Sequence, residues 1–270
     1  MPKEAQGRVV VITGASSGIG REAAKLFAAR GDTLVLAARR TALLEALAAE
    51  LGAPARPHLV VSVDLADPAA AASPVTRALE AFGRVDVLVS NAGYSVQAEF
   101  QALPEAEASR MVQVNFMAAM ALNRAAIPAM KAAGHGRIIN VASVVGLIPW
   151  PLNAVYCATK HALVGFSKSL ELELRGTGVT VTVICPPSVK TAFLDIAGRD
   201  IPVHDFFLRT AVSPAGIARA IIHAADRPRP VVFPHWLARY FVFNERVFTW
   251  LYNRIAIWQR DGARRAAGGR

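Results

Sequence analysis

Seven short runs rich in Val, Ile and Leu alternate with stretches of helical spacing along this 270-residue chain, and the alternation limits its fold more than any other feature. The runs lie at 9–12, 33–37, 59–63, 85–89, 137–141, 179–184 and 230–233. Most are nearly continuous in apolar residues, the pattern of strands buried on both faces of a sheet. Between them, 19–30, 42–51, 68–82, 104–133, 153–175 and 214–225 read as helices. Pro68, Pro104 and Pro214 fall where a first helical turn tolerates proline, and Asp67 and Ser213 precede two of them as N-caps. Strands and helices in alternation predict a parallel sheet covered by helices on both sides. No repeat, linker or compositional break intervenes before residue 230. The expected architecture is α/β: a single doubly wound domain over 1–233 with a seven-stranded parallel sheet, then a C-terminal helical extension over 234–270.

Composition narrows the function classes. A hydrophobic content of 53 % and a mean hydropathy of +0.33 exclude a disordered chain. Two cysteines, Cys157 and Cys185, are too few for a disulfide framework or a thiolate metal site, and the six histidines lack metal-ligand spacing. No bound metal is expected, and a reducing compartment is the default. The start of the chain lacks a secretory pattern, and no stretch reaches the ~18 apolar residues of a membrane span. A cytoplasmic protein, soluble or attached to a membrane only at its periphery, is the expectation. The 30 Lys and Arg against 20 Asp and Glu leave a formal charge of +10. Residues 231–270 hold half of it, with seven Arg against Glu245 and Asp261. Such an excess suits nucleic acid, an anionic membrane or an anionic small molecule, and composition does not choose among them.

The first run leads into Thr13-Gly14-Ala15-Ser16-Ser17-Gly18-Ile19-Gly20. Glycines between a strand and a helix let the backbone turn tightly and approach a pyrophosphate, which sits on free N–H groups at the positive end of the helix. The spacing is G-x-x-x-G-x-G, which also suits a structural turn. The second run ends in Leu36-Ala37-Ala38-Arg39-Arg40, with no acid to take the hydroxyls of an adenosine ribose. A guanidinium there grips a 2′-phosphate that a carboxylate would repel. NADP(H) is therefore expected over NAD(H), with Arg39 as the principal contact and Ser16 beside it. The other reading leaves both arginines solvated at a helix entrance.

Tyr156 and Lys160 stand four residues apart, on one face if their segment is helical. An ammonium nearby favours phenolate, so Lys160 is expected to lower the Tyr156 pKa and make the phenol a proton donor and acceptor for a carbonyl/alcohol pair. A surface pair would show the same spacing.

Taken together, these motifs resemble those of the short-chain dehydrogenase/reductase family over nearly all of residues 8–233. The resemblance implies a Rossmann-type domain. Gly14, Ser16, Ser17, Gly18, Ile19 and Gly20 match its cofactor motif, Asp64 and Leu65 its adenine-contacting element, and Asn91, Ala92 and Gly93 its element after the fourth strand. Asn115, Ser143, Tyr156 and Lys160 match its catalytic tetrad, and Val189 and Thr191 its carboxamide contacts. It further implies that Ser143 holds the substrate oxygen, Tyr156 passes the proton, Lys160 holds the nicotinamide ribose and tunes the phenol, and Asn115 anchors a relay water. A small carbonyl or alcohol substrate and a homo-oligomer, dimer or tetramer, are expected with it. Two positions depart: Ser90 stands where the family commonly has Asn, and Pro186-Pro187 where it has Pro-Gly, which puts the path of the following loop in question. A non-catalytic dinucleotide-binding sensor or scaffold is the competing reading, and the presence of Tyr156 and Lys160 together argues against it.

Beyond Thr191, the residues Phe193, Leu194, Ile201, Phe206, Phe207 and Leu208 suggest an apolar substrate cover. Val145, Leu147, Ile148 and Trp150 either line the same pocket or pack into the core. In 235–260, Leu237, Phe241, Phe248, Leu251, Ile255 and Trp258 form a helical stripe, while Arg239, Arg246, Asn253 and Arg260 mark a polar line. Such a segment suits a membrane surface, or else packs on its own domain or a second subunit. No recognition motif supports nucleic acid.

Overall fold

The computed structural model describes residues 7–52, 57–191, 193–197 and 205–268. Strands β1 (Val9–Thr13), β2 (Thr33–Ala38), β3 (Leu59–Ser62), β4 (Val87–Ser90), β5 (Gly136–Val141), β6 (Val179–Ile184) and β7 (Val231–Val232) form one seven-stranded sheet. Its order is β3-β2-β1-β4-β5-β6-β7, and every pairing is parallel. This is a Rossmann-type sheet. The chain winds outward from β1 to β3, returns to β4, and winds the other way.

Because strand side chains alternate, each strand feeds two cores. Val10, Ile12, Leu34, Leu36 and Val89 pack on α1 (Gly18–Ala28), α2 (Thr41–Leu51) and α9 (Pro214–Asp226). Val9, Val11, Val35, Leu88 and Val181 pack on α3 (Ser73–Phe82) and α5 (Ala118–Ala133). Helix α6 (Ala154–Glu173) contributes Leu163 and Val164, which meet Ala142 and Val183. Ser213 caps α9 by accepting from Ala215 N, as its position before Pro214 predicts. Asp67 does not cap a helix. Its carboxylate accepts from Ala69 N in a turn that includes Pro68, and α3 begins only at Ser73 with Pro74 in its first turn. Pro104 precedes rather than opens α4 (Glu105–Val112).

A π-helical turn, Gln113–Met117, joins α4 to α5. The short helices α7 (Phe193–Ala197) and α8 (Asp205–Thr210) follow β6. The tail forms two helices rather than one, α10 (Trp236–Val247) and α11 (Thr249–Gly268), with Phe248 out of the helical region at φ −122° and ψ 46°. Of the expected stripe, Phe248, Leu251, Ile255 and Trp258 are exposed and Leu237 and Phe241 half-buried, while Ala238, Val242, Tyr252 and Ala256 are among the buried residues of the tail. No helix among the described residues is long and apolar enough to cross a membrane.

Candidate active site

The strand order reverses between β1 and β4, and a cavity of about 420 Å³ opens at their carboxyl ends, where ligands of open α/β sheets bind. Thr13, at the end of β1, braces the lining residues Asn91 and Ala92. Its Oγ1 accepts from the backbone N–H groups of Asn91 (3.0 Å) and Ala92 (3.1 Å), and its carbonyl accepts from Asn91 Nδ2 (3.0 Å). Gly14 and Gly18 adopt φ of +68° and +55°, and a Cβ at Gly20 would stand 2.4 Å from the Gly14 carbonyl oxygen. No larger residue fits this turn. No side chain among the described residues caps the first turn of α1, so its leading amides remain for an anion.

The cations expected beyond β2 line the same cavity. It is Arg40, however, that engages the glycine turn: its Nη2 donates to Ser16 Oγ (3.1 Å) and Ser17 Oγ (2.9 Å). Arg39, the first choice from the sequence, lines the cavity beside it and contributes its charge near Asp64. Asp64 accepts from Ala66 N (3.0 Å) and pairs with Arg110 on α4 (2.8 Å). Burial opposes the charge of Asp64, but Arg110, the Ala66 amide and Arg39 hold its pKa below the usual carboxylate value. Leu65, Asn91, Ala92 and Gly93 complete this wall. Arg110 carries no sequence signal, since only the fold brings it to Asp64.

The four residues expected to do chemistry converge. Asn115 sits in the π-helical turn, 1 % exposed. Its Oδ1 accepts from Tyr94 N (2.9 Å), while its Nδ2 donates to Tyr94 O (2.9 Å) and Thr159 Oγ1 (3.3 Å). Ser143 follows β5 and accepts from Val145 N (3.4 Å). Lys160, 3 % exposed, donates from Nζ to Val141 O (3.0 Å) and lies 5.8 Å from the Tyr156 ring centroid. Gly93 lets Asn115 and Lys160 approach: a Cβ there would be 3.0 Å from Asn115 Oδ1 and 3.4 Å from Lys160 Nζ.

Burial lowers the Lys160 pKa to about 8. Burial pushes the Tyr156 phenol up, and a hydrogen bond with Ser143 pulls it only part of the way back. The expected lowering by Lys160 is thus reversed in this state. Both groups lose solvent, and the ammonium is directed at the Val141 carbonyl rather than at the phenol oxygen.

The substrate side is apolar. Val145, Trp150, Phe193 and Leu194 line the cavity, and the Tyr156 and Phe193 rings lie 5.6 Å apart. Leu147 and Ile148 instead pack away from it, so segment 145–150 serves both of its expected uses. Leu208 is exposed; Ile201 and the side chains of Phe206 and Phe207 lie outside the described residues. The loop after β6 takes a defined path despite Pro187. Pro186 O accepts from Val144 N (2.8 Å), Val189 bridges Val212, and the Thr191 methyl sits where a Cβ at Gly18 would come within 2.9 Å. Ser188 Oγ is buried in that wall with no hydrogen-bond partner among the described residues. At the other departure, Ser90 Oγ accepts from Asn123 Nδ2 (3.4 Å). Sequence reasoning missed Tyr94, Ser95, Gln97 and Leu152. Leu152 holds a left-handed φ of +62°, with its carbonyl accepting from Ala98 N (3.0 Å) and its neighbour Asn153 accepting from Ser95 Oγ (2.7 Å). Among the described residues no three His, Cys, Asp or Glu converge as metal ligands do.

A glycine cradle, an uncapped helix start and two cations at one end, with a Ser/Tyr/Lys wall at the other, define an α/β oxidoreductase site that fits a nicotinamide dinucleotide. The short chain dehydrogenase family matches residues 8–200, and the chain belongs to that family of oxidoreductases. It is 36 % identical over 232 residues to dehydrogenase/reductase SDR family member 7B of Bos taurus, covering 82 % of this chain and 71 % of the relative. A short-chain dehydrogenase of Sphingobium yanoikuyae in complex with NADPH superposes with a TM-score of 0.78 at 32 % identity, over 90 % of this chain and 94 % of that one. A 3-ketoacyl-(acyl-carrier-protein) reductase of Brucella melitensis complexed with NADH superposes with a TM-score of 0.77 at 30 % identity, over 84 % and 96 %. Members of the family use a nicotinamide dinucleotide to interconvert carbonyl and alcohol groups, and neighbours of this fold bind either form of it.

Proposed function

We propose that the chain is a cytoplasmic NADP(H)-dependent oxidoreductase that interconverts a ketone or aldehyde and an alcohol on a hydrophobic small molecule. The observation that carries the reading is the convergence of Ser143, Tyr156 and Lys160 at an apolar pocket that continues into the glycine cradle. Bound there, the dinucleotide supplies or accepts the hydride at its nicotinamide. The amides at the start of α1 take the pyrophosphate, and Arg40, with Arg39 beside it, takes the 2′-phosphate. Ser143 holds the substrate oxygen by a hydrogen bond. Tyr156 Oη gives that oxygen its proton in reduction and removes it in oxidation. Lys160 presents a cation beneath the phenol, which favours the phenolate once the Tyr156 proton has left. Asn115 acts as a positioning residue, holding the Tyr94 backbone against the α6 face that carries Thr159 and Lys160.

We assign cofactor and catalytic groups to residues 1–233 and a helical extension to 234–270. Peripheral attachment to a membrane through residues 235–260 and assembly as a homo-oligomer belong to the same reading. A screen of carbonyl compounds and alcohols, run in parallel with NADPH and NADH, tests it. Turnover is expected on apolar ketones or aldehydes with NADPH preferred. Preference for NADH, or turnover confined to small polar sugars, refutes the corresponding half.

A further inference from the structure

The two faces of the tail do different things. Inward, Ala238 and Val242 of α10 and Tyr252 and Ala256 of α11 are buried with Val144 and Ile148. Tyr252 Oη donates to Pro149 O (2.6 Å), and its ring meets Trp150 edge-on at 6.3 Å between centroids. Arg264 pairs with Glu99 (2.7 Å). Trp150 also lines the catalytic cavity, so one thin wall separates the tail from the pocket.

Outward, the tail is apolar and exposed. Ten of the sixteen large apolar side chains exposed among the described residues fall between 236 and 258, so the patch is local to this hairpin. Trp236, Tyr240, Phe243 and Val247 recur at four- and three-residue steps and form one line along α10. Trp250, Leu251, Ile255, Ile257 and Trp258 are exposed on α11, with Trp236 and Trp250 each at 67 %. Arg239 and Arg246 flank the α10 line at about 80° round the helix, given about 100° per residue. By the same spacing, Arg254 stands among Trp250, Ile257 and Trp258. Arg239, Arg246, Arg254 and Arg265 have no ion-pair partner among the described residues, whereas Arg260 and Arg264 do.

Three occupants compete for this face. A second copy related by a two-fold axis would set like arginines against each other around an apolar centre, with Asp261 already paired to Arg260. A nucleic acid would answer the arginines but not the ten exposed apolar side chains. An anionic bilayer answers both: phosphate headgroups meet the arginines, and Trp and Tyr rings lie at headgroup depth with Leu and Ile below.

We propose that the outer face of α10 and α11 docks flat on an anionic lipid bilayer, setting the catalytic pocket against it so that the substrate is a carbonyl compound dissolved in the lipid. The substrate clause rests on the carbonyl chemistry proposed above; the docking clause deepens the peripheral attachment proposed there and does not need that chemistry.

Flotation of the purified full-length protein with phosphatidylcholine vesicles, and with vesicles also containing phosphatidylglycerol, tests the docking. The protein is expected to float with the anionic vesicles and to be released by salt. Arg239→Gln with Arg246→Gln is expected to reduce partitioning about thirtyfold, the factor implied by two surface arginines at about 1 kcal/mol each. Trp250→Ser with Ile257→Ser weakens it on either lipid. All four positions are exposed, so an unchanged unfolding midpoint shows that the fold is intact. Wild-type protein that stays in solution with both vesicles overturns the proposal. So does binding indifferent to lipid charge and to the arginines, or a lipid-free dimer that the Trp250/Ile257 variant turns into monomer.

NADPH oxidation separates the two clauses. With a long-chain ketone dissolved in anionic vesicles, the arginine variant loses rate, and with a short water-soluble ketone it does not. Equal rates on the vesicle substrate overturn the substrate clause. No turnover of either ketone by wild-type protein that still floats refutes the carbonyl reading and leaves docking established.

Discussion

Lys160 stores a cost in the fold that its removal should release. The ammonium is 3 % exposed, it donates to the Val141 carbonyl, and burial lowers its pKa from 10.5 to about 8. That displacement corresponds to about 3 kcal/mol of disfavoured charge in the folded state, at roughly 1.4 kcal/mol per pH unit. Below pH 8 both folded and unfolded chains hold the proton, and the full cost is present. Between pH 8 and 10.5 the unfolded chain still binds the proton that the folded chain has released, so stability rises with pH. Lys160→Met replaces the group by an uncharged chain of similar length and gives up a hydrogen bond worth about 1 kcal/mol. The cofactor-free variant should be more stable than wild type at pH 7 by about 2 kcal/mol, or roughly 4–8 °C in midpoint. Its advantage should shrink to nothing by about pH 10. Urea unfolding of both proteins at pH 7 and pH 10, followed by tryptophan fluorescence, gives the difference directly and cancels other titrating groups. A variant less stable than wild type at pH 7, or a difference that does not change with pH, would show that the buried ammonium is not a destabilising charge.

Three further outcomes follow from the same geometry. Tyr156→Phe should lower turnover by about 10²–10⁴-fold and leave NADPH affinity, read by cofactor fluorescence, nearly unchanged; retained turnover would remove Tyr156 from the chemistry. Arg40→Ala breaks the contacts to Ser16 and Ser17 and should raise the Kd for NADPH by about tenfold or more with little effect on NADH. An equal loss for both would mean that Arg40 only braces the turn. Asn115→Ala removes the partner of the half-buried amide and carbonyl of Tyr94 and should cost about 1–3 kcal/mol of unfolding free energy, measured by denaturant titration.

The sheet was legible because strands buried on both faces need uninterrupted Val, Ile and Leu, and nothing else in this chain demands that pattern. The glycine turn was legible because its backbone excludes side chains, as the 2.4 Å approach at Gly20 shows. Pairings made by the fold alone were not legible. Asp64 and Arg110 are 46 residues apart, and Arg40 rather than Arg39 reaches Ser16 because of how the chain leaves β2. Which side of the tail packs was not legible for a different reason. Its stripe suited a membrane surface and packing on the domain alike, and the choice lies with small residues: Ala238, Ala256 and Ala263 face inward and let the helices approach the sheet domain closely. The break at Phe248 has no proline or glycine to announce it; Thr249 Oγ1 bonds back to the Glu245 carbonyl (2.6 Å) as the chain turns.

The stretch from Ser143 to Asn153 ties the chemistry to the tail. Ser143 stands at its start beside the phenol, and Asn153 at its end precedes the helix that carries Tyr156 and Lys160. Between them the path is fixed from outside: Pro149 by Tyr252, and Leu152 in a left-handed conformation by the Ala98 amide. A non-glycine residue is held at such a φ only where its surroundings over-determine it, at a cost of about 1–3 kcal/mol. The tail supplies part of that determination. Shifting α11 moves Pro149, which moves Trp150, which is already a wall of the substrate pocket. Substitutions on the inner face at Tyr252 therefore change the shape of the pocket, while those on the outer face at Trp250 or Ile257 do not, and the two sets of variants separate pocket shape from surface attachment.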